Sequence, residues 1–228
     1  RSYHCAGIRW DTSTLQRVRH PPHPFNLRLA YTCALCGRWL FLINIYLQIQ
    51  RELLPTPQKS HYTFNLRDLS KVFQGVLMVK PKHVADADAL IKLWCHEGQR
   101  VFRDRLINEG DREWYNNAIL QQLHTNLNGA HYSLPDFAHL IYGNFMSRND
   151  RDYQILLDRK KVGAVLSEYL EEYNISFSSR MELVFFNDAI EHVTRISRVL
   201  SQPRGNALLV GVGGSGRQSL TRMASFMA

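Results

Sequence analysis

The sequence predicts a mostly α-helical protein that ends in the first part of an α/β unit with a phosphate-binding loop. Apolar residues recur at intervals of three and four between residues 43 and 200, as on one face of successive helices. That period stops at residues 207–210, where four apolar residues run together. Glycines follow at once, and a strand, a glycine-rich turn and a helix in this order are typical of P-loop proteins.

The first 42 residues differ in composition from the rest of the chain. They contain six arginines and one acidic residue, but neither lysine nor glutamate. Prolines at positions 21, 22 and 24 interrupt any regular element there. We therefore predict that residues 1–42 are an atypical segment, disordered or aberrant, for instance from an alternative exon. The chain begins with arginine rather than methionine, which suggests a fragment.

Charge and cysteine content exclude several classes of partner. Most of the formal net charge of +8 lies in the first 42 residues, so the rest is nearly balanced and no nucleic-acid face is expected. Polar residues interrupt the apolar stretch at 30–49, so we expect no membrane segment. Cys33 and Cys36 lack a second pair at zinc-ligand spacing, so we expect no metal site and a reduced, intracellular protein.

Helical signals fill residues 43–146. Ile43, Tyr46 and Leu47 begin a helical face that ends before Pro55. Asn65 is a predicted N-cap, and Gly75 is the predicted end of that second helix.

A third helix is expected over residues 86–109, with Gly110 at its end. A fourth, around residues 119–127, is expected to stop at the turn formed by Asn128 and Gly129.

The second predicted part of the chain, residues 147–228, begins with a polar stretch at 147–152 that separates it from residues 43–146. Amphipathic stripes at 162–173 and 183–200 predict two more helices. The continuous apolar run at 207–210 predicts a strand buried on both faces of a parallel sheet. A final helix is expected from Ser219 onward.

The glycine-rich loop is the candidate site. Gly211, Gly214 and Gly216 fall where the P-loop pattern requires small residues. Backbone N–H groups converge in such a turn, and the helix dipole adds partial positive charge, so anions bind there. The predicted phosphate-binding residues are Gly211, Val212, Gly213, Gly214, Ser215, Gly216, Arg217, Gln218 and Ser219.

Catalysis by this loop is not expected. Arg217 stands where such loops carry lysine, and Gln218 stands where they carry the serine or threonine that ligates Mg²⁺. Ser219 lies one position late, about 100° further round the helix. We therefore predict nucleotide binding without hydrolysis and assign no catalytic residue.

Three strings together resemble axonemal dynein heavy chains. The string MELVFFNDAIEHVTRISRVLSQPRGNALLVGVGGSGRQSL, from Met181 to Leu220, resembles the entry into the fourth AAA+ module of that family, including its Arg-Gln-Ser departure. Upstream, ELLPTPQKSHYTFNLRDLSKVFQG, from Glu52 to Gly75, resembles the lid of the third module, and LIKLWCHEGQRVFRDRL continues it. Residues 1–42 depart from the family, so the resemblance covers residues 43–228.

The resemblance implies a fold, a function and partners. The fold would be an AAA+ lid-type helical bundle (43–146), then linker helices and the truncated start of a P-loop α/β AAA+ core (147–228). The parent would be a microtubule-based motor ATPase of the axoneme in cilia or flagella, acting with the rest of its ring and other dynein subunits. The loop would bind ATP or ADP, with or without Mg, for regulation or structure. Arg67 would correspond to a sensor arginine.

Two other functions fit the residues. A non-enzymatic helical interaction module would carry the same loop empty. A small P-loop kinase or NTPase would require an acidic metal-binding strand after the loop, and the sequence ends before one is reached. His96-Glu97 is not a metalloprotease motif, because Arg100 stands where the second histidine belongs. The charged residues Arg100, Arg103, Asp104 and Arg105 are expected to form a solvated helix face with internal ion pairs.

Overall fold

The computed structural model describes residues 41–126 and 132–228, together with a two-residue strand pairing between His4–Cys5 (β1) and Ile8–Arg9 (β2). The Asn128-Gly129 turn and the Cys33–Cys36 pair lie outside the described residues, as does nearly all of the predicted atypical segment. Within the described part, helices dominate and strands are short, which confirms the predicted mostly α-helical class.

The first helix, α1, covers residues 41–52. Its buried face is one position away from the predicted one, because Ile45 and Ile49 are fully buried whereas Ile43 and Leu47 are more than one-third exposed. The helix packs into a cluster of aromatic residues that includes Phe102 and Tyr115.

Helix α2, Leu66–Val76, begins at the predicted cap. The Asn65 side chain accepts hydrogen bonds from the amides of Arg67 (2.9 Å) and Asp68 (3.3 Å). Asp68 in turn accepts one from the Asn65 amide at 3.1 Å, which completes a capping box. Leu66, the first residue of this helix, is 71% exposed.

The sequence predicted that Gly75 ends α2 as a glycine cap, but it does not. It lies inside the last turn and is buried, and the helix continues through Val76. A Cβ atom at this position would lie 1.8 Å from Oε2 of Glu97. Glycine is therefore required by close packing against α3 rather than by backbone conformation.

The helix expected over residues 86–109 ends earlier than predicted, at Val101. Helix α3 is Ala87–Val101, capped by Asp86, and a 3-10 turn at Arg103–Arg105 leads to α4, Glu109–Asn126. Gly110 is thus the second residue of α4 and ends no helix. The break is stabilised locally, because the Ile107 amide donates to the Tyr62 hydroxyl (2.9 Å) and Arg112 Nε donates to the Leu106 carbonyl (3.0 Å).

A short helix and a strand pair connect the two predicted halves. Helix α5, Pro135–Ala138, precedes β3, Tyr142–Gly143, which pairs antiparallel with β4, Gln154–Ile155. Between the strands, Asp152 is buried and forms ion pairs with Lys80 and Lys82 from the earlier half. The polar stretch at 147–152 is therefore held against the segment that connects α2 to α3.

Three helices follow: α6, Arg159–Ser176; α7, Asn187–Leu200; and α8, Arg217–Met227. Their buried faces agree with the predicted stripes from residue 162 onward, with two exceptions. Leu200 is 36% exposed, and Leu183 and Phe186 precede α7, with Phe186 61% exposed. Helix α7 packs chiefly against α8.

Buried apolar side chains form two clusters. The first is centred on α1 to α4, and the second on α6, α7 and α8. The β3–β4 pair contributes to both, since Tyr142 and Tyr153 belong to the first cluster whereas Ile141 and Leu156 belong to the second. No helix in the described ranges is long and apolar enough to cross a membrane.

The predicted strand at 207–210 is not formed. This segment pairs with no other part of the described chain, and its side chains are exposed, 89% for Leu208 and 85% for Val210. A strand requires a hydrogen-bonded neighbour, and a parallel neighbour needs a long crossover connection. Because the described residues supply no such neighbour, the segment stays unpaired.

Candidate phosphate-binding loop

The loop between residue 210 and α8 has the local geometry of an anion-binding turn. Gly214 and Gly216 have positive φ angles of 76° and 73°, in the left-handed region that favours glycine. Gly216 occupies the N-cap position of α8, and no side chain caps this helix. The first amides of a helix have no intrahelical acceptor. The amides of Arg217, Gln218 and Ser219 therefore remain free for an external acceptor.

The Arg217 side chain turns back over its own loop. One guanidinium nitrogen donates to the Val212 carbonyl at 2.8 Å and the other to the Leu209 carbonyl at 3.4 Å. A lysine has one point charge and no planar fork, so it would not span both carbonyls in this way. The positive charge is thus held beside the loop.

An open depression of about 920 Å³ adjoins the loop. One wall is aromatic, with the rings of Tyr173 and Phe177 stacked 4.6 Å apart and Phe226 edge-on to both. Gln218 and Arg222 also line the depression. None of the residues lining it is acidic, so the depression offers cationic and amide groups to a ligand and no carboxylate to a metal.

The described residues that line the depression include no Asp, Glu, His or Cys. In the part of the chain that the structure describes, no three His, Cys, Asp or Glu side chains are grouped as metal ligands. Phosphoryl transfer requires metal and charge stabilisation together with a residue that positions water. The loop as described presents donors for phosphate oxygens but no such machinery.

Arg67 is not brought to the loop. It is exposed in the first turn of α2, which packs mainly against α3 in the first cluster. Its backbone amide is bonded to the Asn65 cap. The loop instead lies beside the second cluster.

A buried polar cluster between α3 and α7 was missed by the sequence analysis. The Glu97 carboxylate accepts hydrogen bonds from the Tyr153 hydroxyl (2.8 Å), from His96 Nδ1 (3.1 Å) and from Arg198 Nε (3.0 Å). All four residues are buried. The available signal was the position of Glu97 within the apolar stripe of α3, three residues after Trp94 and four before Val101.

Burial and charge act against each other in this cluster. Burial alone would raise the pKa of Glu97, but the hydrogen bond from His96 and the positive charge of Arg198 outweigh it and lower that pKa to about 2. Burial lowers the pKa of His96 to about 4, despite the neighbouring carboxylate. At neutral pH Glu97 is therefore ionised and His96 is neutral.

The charged residues 100–105 are less exposed than expected. Arg100 is largely buried and pairs with Asp104 at 3.1 Å, while Arg105 forms two hydrogen bonds with Asp68. The expected internal pairing is present. The prediction of a solvated face is wrong for Arg100, because α7 lies against this side of α3. Arg195 of α7 also approaches Asp104, at 3.6 Å.

Comparison with protein families matches two segments of the chain. Residues 41–135 match the AAA+ lid domain, and residues 181–228 match the "P-loop containing dynein motor region D4". Among curated proteins, Dynein axonemal heavy chain 1 of Rattus norvegicus is 52% identical over 188 residues, which is 82% of this chain and 4% of the rat protein. The chain belongs to the axonemal dynein heavy chain family.

Further relatives extend the match. Dynein axonemal heavy chain 1 of Homo sapiens is 50% identical over 227 residues, 97% of this chain and 5% of the human protein. The Dynein-1-beta heavy chain of the flagellar inner arm I1 complex of Chlamydomonas reinhardtii is 42% identical over 192 residues, 82% of this dynein chain and 4% of that protein. The chain thus spans about one-twentieth of the length of these relatives.

The human alignment corrects one expectation. Because it covers 97% of the chain, it must include most of residues 1–42. The prediction that these residues depart from the family is therefore wrong for this relative, and the alternative-exon hypothesis loses its main support. Composition was a poor guide here, since an unusual arginine content does not exclude homology.

Proposed function

We propose that residues 211–219 bind the phosphate groups of ATP or ADP without hydrolysing the nucleotide. The observation that carries the proposal is the left-handed Gly214 and Gly216 pair leading into an uncapped helix N-terminus. Free amides and the helix dipole both favour phosphate at this place. The match to a P-loop motor region over residues 181–228 supports the same conclusion.

The proposed site fits phosphate better than it fits Mg²⁺. Mg²⁺ requires near-octahedral oxygen ligands, usually a carboxylate or a short hydroxyl with several waters. Gln218 replaces that hydroxyl, and no acidic residue lines the adjoining depression. Arg217 would supply positive charge to the phosphates, with part of its guanidinium already committed to the loop carbonyls. Any Mg²⁺ that accompanies the nucleotide would be held by the phosphates and water.

We further propose a role within a longer dynein chain. Residues 43–146 would be the helical lid of the third AAA+ module and residues 147–228 the entry to the fourth. Nucleotide at the loop would then be regulatory or structural for a microtubule motor of the axoneme, in contact with the rest of its ring and other dynein subunits. Arg67 would serve as a sensor for nucleotide bound elsewhere in such a ring, since it lies away from the loop described here.

The proposal is tested by titrating the chain with a fluorescent ATP analogue. Gly216→Val places a β-branched residue at a positive φ angle and should weaken binding at least tenfold. The control is Gly163→Ala, in mid-helix with its nearest neighbour 3.8 Å from a new Cβ, which should leave the affinity unchanged. Equal affinity in the Gly216 variant, or no binding by the unaltered chain, would favour a helical interaction module with an empty loop.

Hydrolysis is measured in the same samples. We expect phosphate release from ATP at the rate seen without protein, because neither a metal ligand nor a water-positioning residue adjoins the loop. Release above that rate, lost in Gly216→Val, would show that this chain is a nucleotidase.

A further inference from the structure

One buried ion pair joins the two segments that match different family models. Arg198 of α7 lies in the match to the motor region, and Glu97 of α3 lies in the match to the lid. Two donors on one edge of the guanidinium face the carboxylate: Nε lies 3.0 Å from Oε2, and Nη2 contacts the same oxygen. The pair thus connects positions 101 residues apart.

This ion pair differs from the surface pairs of the chain. The side chains of Glu97 and Arg198 are 0% and 5% exposed. Oε1 of Glu97 is occupied by Tyr153 and His96, so both carboxylate oxygens have partners. Removal of one member of a buried pair leaves an uncompensated charge in a low-dielectric interior, which is strongly unfavourable. Separation of α7 from α3 would break both hydrogen bonds between Arg198 and Glu97.

Helix α2 meets the pair at the same point. A Cβ atom on Gly75 would lie 2.8 Å from Nη2 of Arg198 as well as 1.8 Å from Glu97, so the α2 backbone lies directly on the two side chains. Beyond the end of α2, Met78 Sδ accepts a weak hydrogen bond from Gln202 at 3.7 Å. Three helices of the two matched segments therefore share one contact region.

Helix α7 is also the element that supports the loop. Its main neighbour is α8, whose first turn supplies the loop amides. Val193 of α7 and Met223 of α8 are both fully buried in the second cluster. A displacement of α8 therefore acts on α7, and α7 is anchored to α3 through Arg198.

We propose that the Glu97–Arg198 pair makes α3 and α7 open as one cooperative unit, so that the loop-bearing helices and the lid-like helices move together. The coupling is a property of the chain itself and requires no ligand. That a bound nucleotide uses the coupling to act on the lid rests on the function proposed above. Arg198 is on this account a positioning residue, which acts through Glu97 and touches no ligand.

The coupling is tested by native-state hydrogen exchange of the full 228-residue chain in a series of low urea concentrations. Amides of one cooperative unit share the same opening free energy and the same urea dependence. We expect the slowest amides of α3 and α7 to coincide in the unaltered chain. In Arg198→Met, α7 should exchange at least tenfold faster than α3. In Arg198→Lys, which keeps the charge but loses the fork, the separation should be smaller.

The matched control is Arg195→Met, one turn earlier on the same helix. Arg195 pairs with Glu191 and Asp104, but its side chain is 30% exposed. We expect α3 and α7 still to exchange together in this variant. If Arg198→Met does not fold, Arg198→Lys decides the matter. Independent exchange of α3 and α7 in the unaltered chain, or coincident exchange in both Arg198 variants, would overturn the proposal.

A second set of samples contains ADP. In the unaltered chain, ADP should slow exchange at the loop and also in α3. In Arg198→Met it should slow exchange at the loop only. If ADP slows no loop amide in the unaltered chain, the nucleotide proposal fails, and the coupling is still decided by the ligand-free samples. If ADP slows α3 equally in both proteins, the effect reaches the lid by another route and the assigned role of Arg198 is wrong.

Discussion

The region around Glu97 and the segment leading into the loop differ in which kind of side chain is buried. Around Glu97, four polar residues are buried and bonded to one another. At 207–212 the reverse holds, because apolar side chains such as Leu208 and Val212 are 89% and 80% exposed. Polar groups are thus covered where helices pack, and apolar groups are uncovered where a sheet neighbour is needed.

Two kinds of structural element can be distinguished here: those formed by local interactions and those that need residues far away in the sequence. A helix satisfies its backbone hydrogen bonds within its own segment, so α2 and α3 form wherever their caps and apolar faces are present. A strand depends on residues far away in sequence. The loop shape belongs to the first kind, since it needs only glycines and a helix N-terminus.

Gly75→Ala should be the most damaging change. Its Cβ would overlap Glu97, which is held in place by hydrogen bonds from Arg198, His96 and Tyr153. We expect a loss of about 3 kcal/mol in the free energy of unfolding, even after the gain in helix propensity. The control Gly163→Ala should instead gain about 0.5–1 kcal/mol, because its new Cβ meets nothing closer than 3.8 Å. Urea denaturation measures both, and a neutral Gly75 variant would show that the cluster is loosely packed.

The His96 imidazole should make stability fall in mild acid. Its pKa is lowered from the ordinary 6.5 to about 4, so the unfolded chain takes up a proton more readily than the folded one. This contribution is present above pH 6.5 and is lost as the pH falls toward 4. We expect a loss of about 2 kcal/mol between pH 7 and pH 5.

That loss should disappear in His96→Gln, which keeps a donor near Glu97 but does not titrate in this range. It should persist in His192→Gln, on an exposed position of α7. Unfolding midpoints at the two pH values test the prediction. An unchanged pH dependence in the His96 variant would assign the effect to other groups.

Asn65→Ala should have a moderate effect. It removes the side chain that accepts from the amides of Arg67 and Asp68 at the start of α2. Loss of an N-cap costs about 1 kcal/mol. Asn65→Asp retains an acceptor and should restore most of that stability. If Ala and Asp variants unfold at the same urea concentration, the cap contributes nothing measurable.

Leu208→Ser should have the smallest effect. Its side chain is almost fully exposed, so its removal gives up little buried apolar area. We expect a change below about 0.5 kcal/mol, against several kcal/mol for Leu166→Ala in the core of α6, where the side chain is fully buried. A large loss on substitution of Leu208 would mean that the segment is covered in solution.

Local signals in the sequence were sufficient for the helices and for the loop. The Asn65 cap, the Asp86 start of α3 and the glycines of the loop all act within a few residues. The end of α3 was predicted wrongly because its stabilising contact is distant: Tyr62 accepts from the Ile107 amide, 45 positions later. No local pattern records such a contact.

The same limit explains the errors at Gly75 and Arg100. Each residue has a common local explanation, a helix end for glycine and a solvated face for arginine. The actual reasons are tertiary contacts: Gly75 packs against Glu97 of α3, and Arg195 of α7 lies beside Arg100 and Asp104. The prediction of a strand at 207–210 was wrong for a related reason, since the described residues provide no strand to pair with it.

On our proposal, the backbone amides at the loop and the first turn of α8 receive phosphate. This is tested by the change in amide NMR chemical shifts of the ¹⁵N-labelled chain as ADP is added. We expect the largest shifts on residues 213–219, and we expect Gly216→Val to remove them. Shifts confined to other parts of the chain, or none at saturating ADP, would contradict the claim.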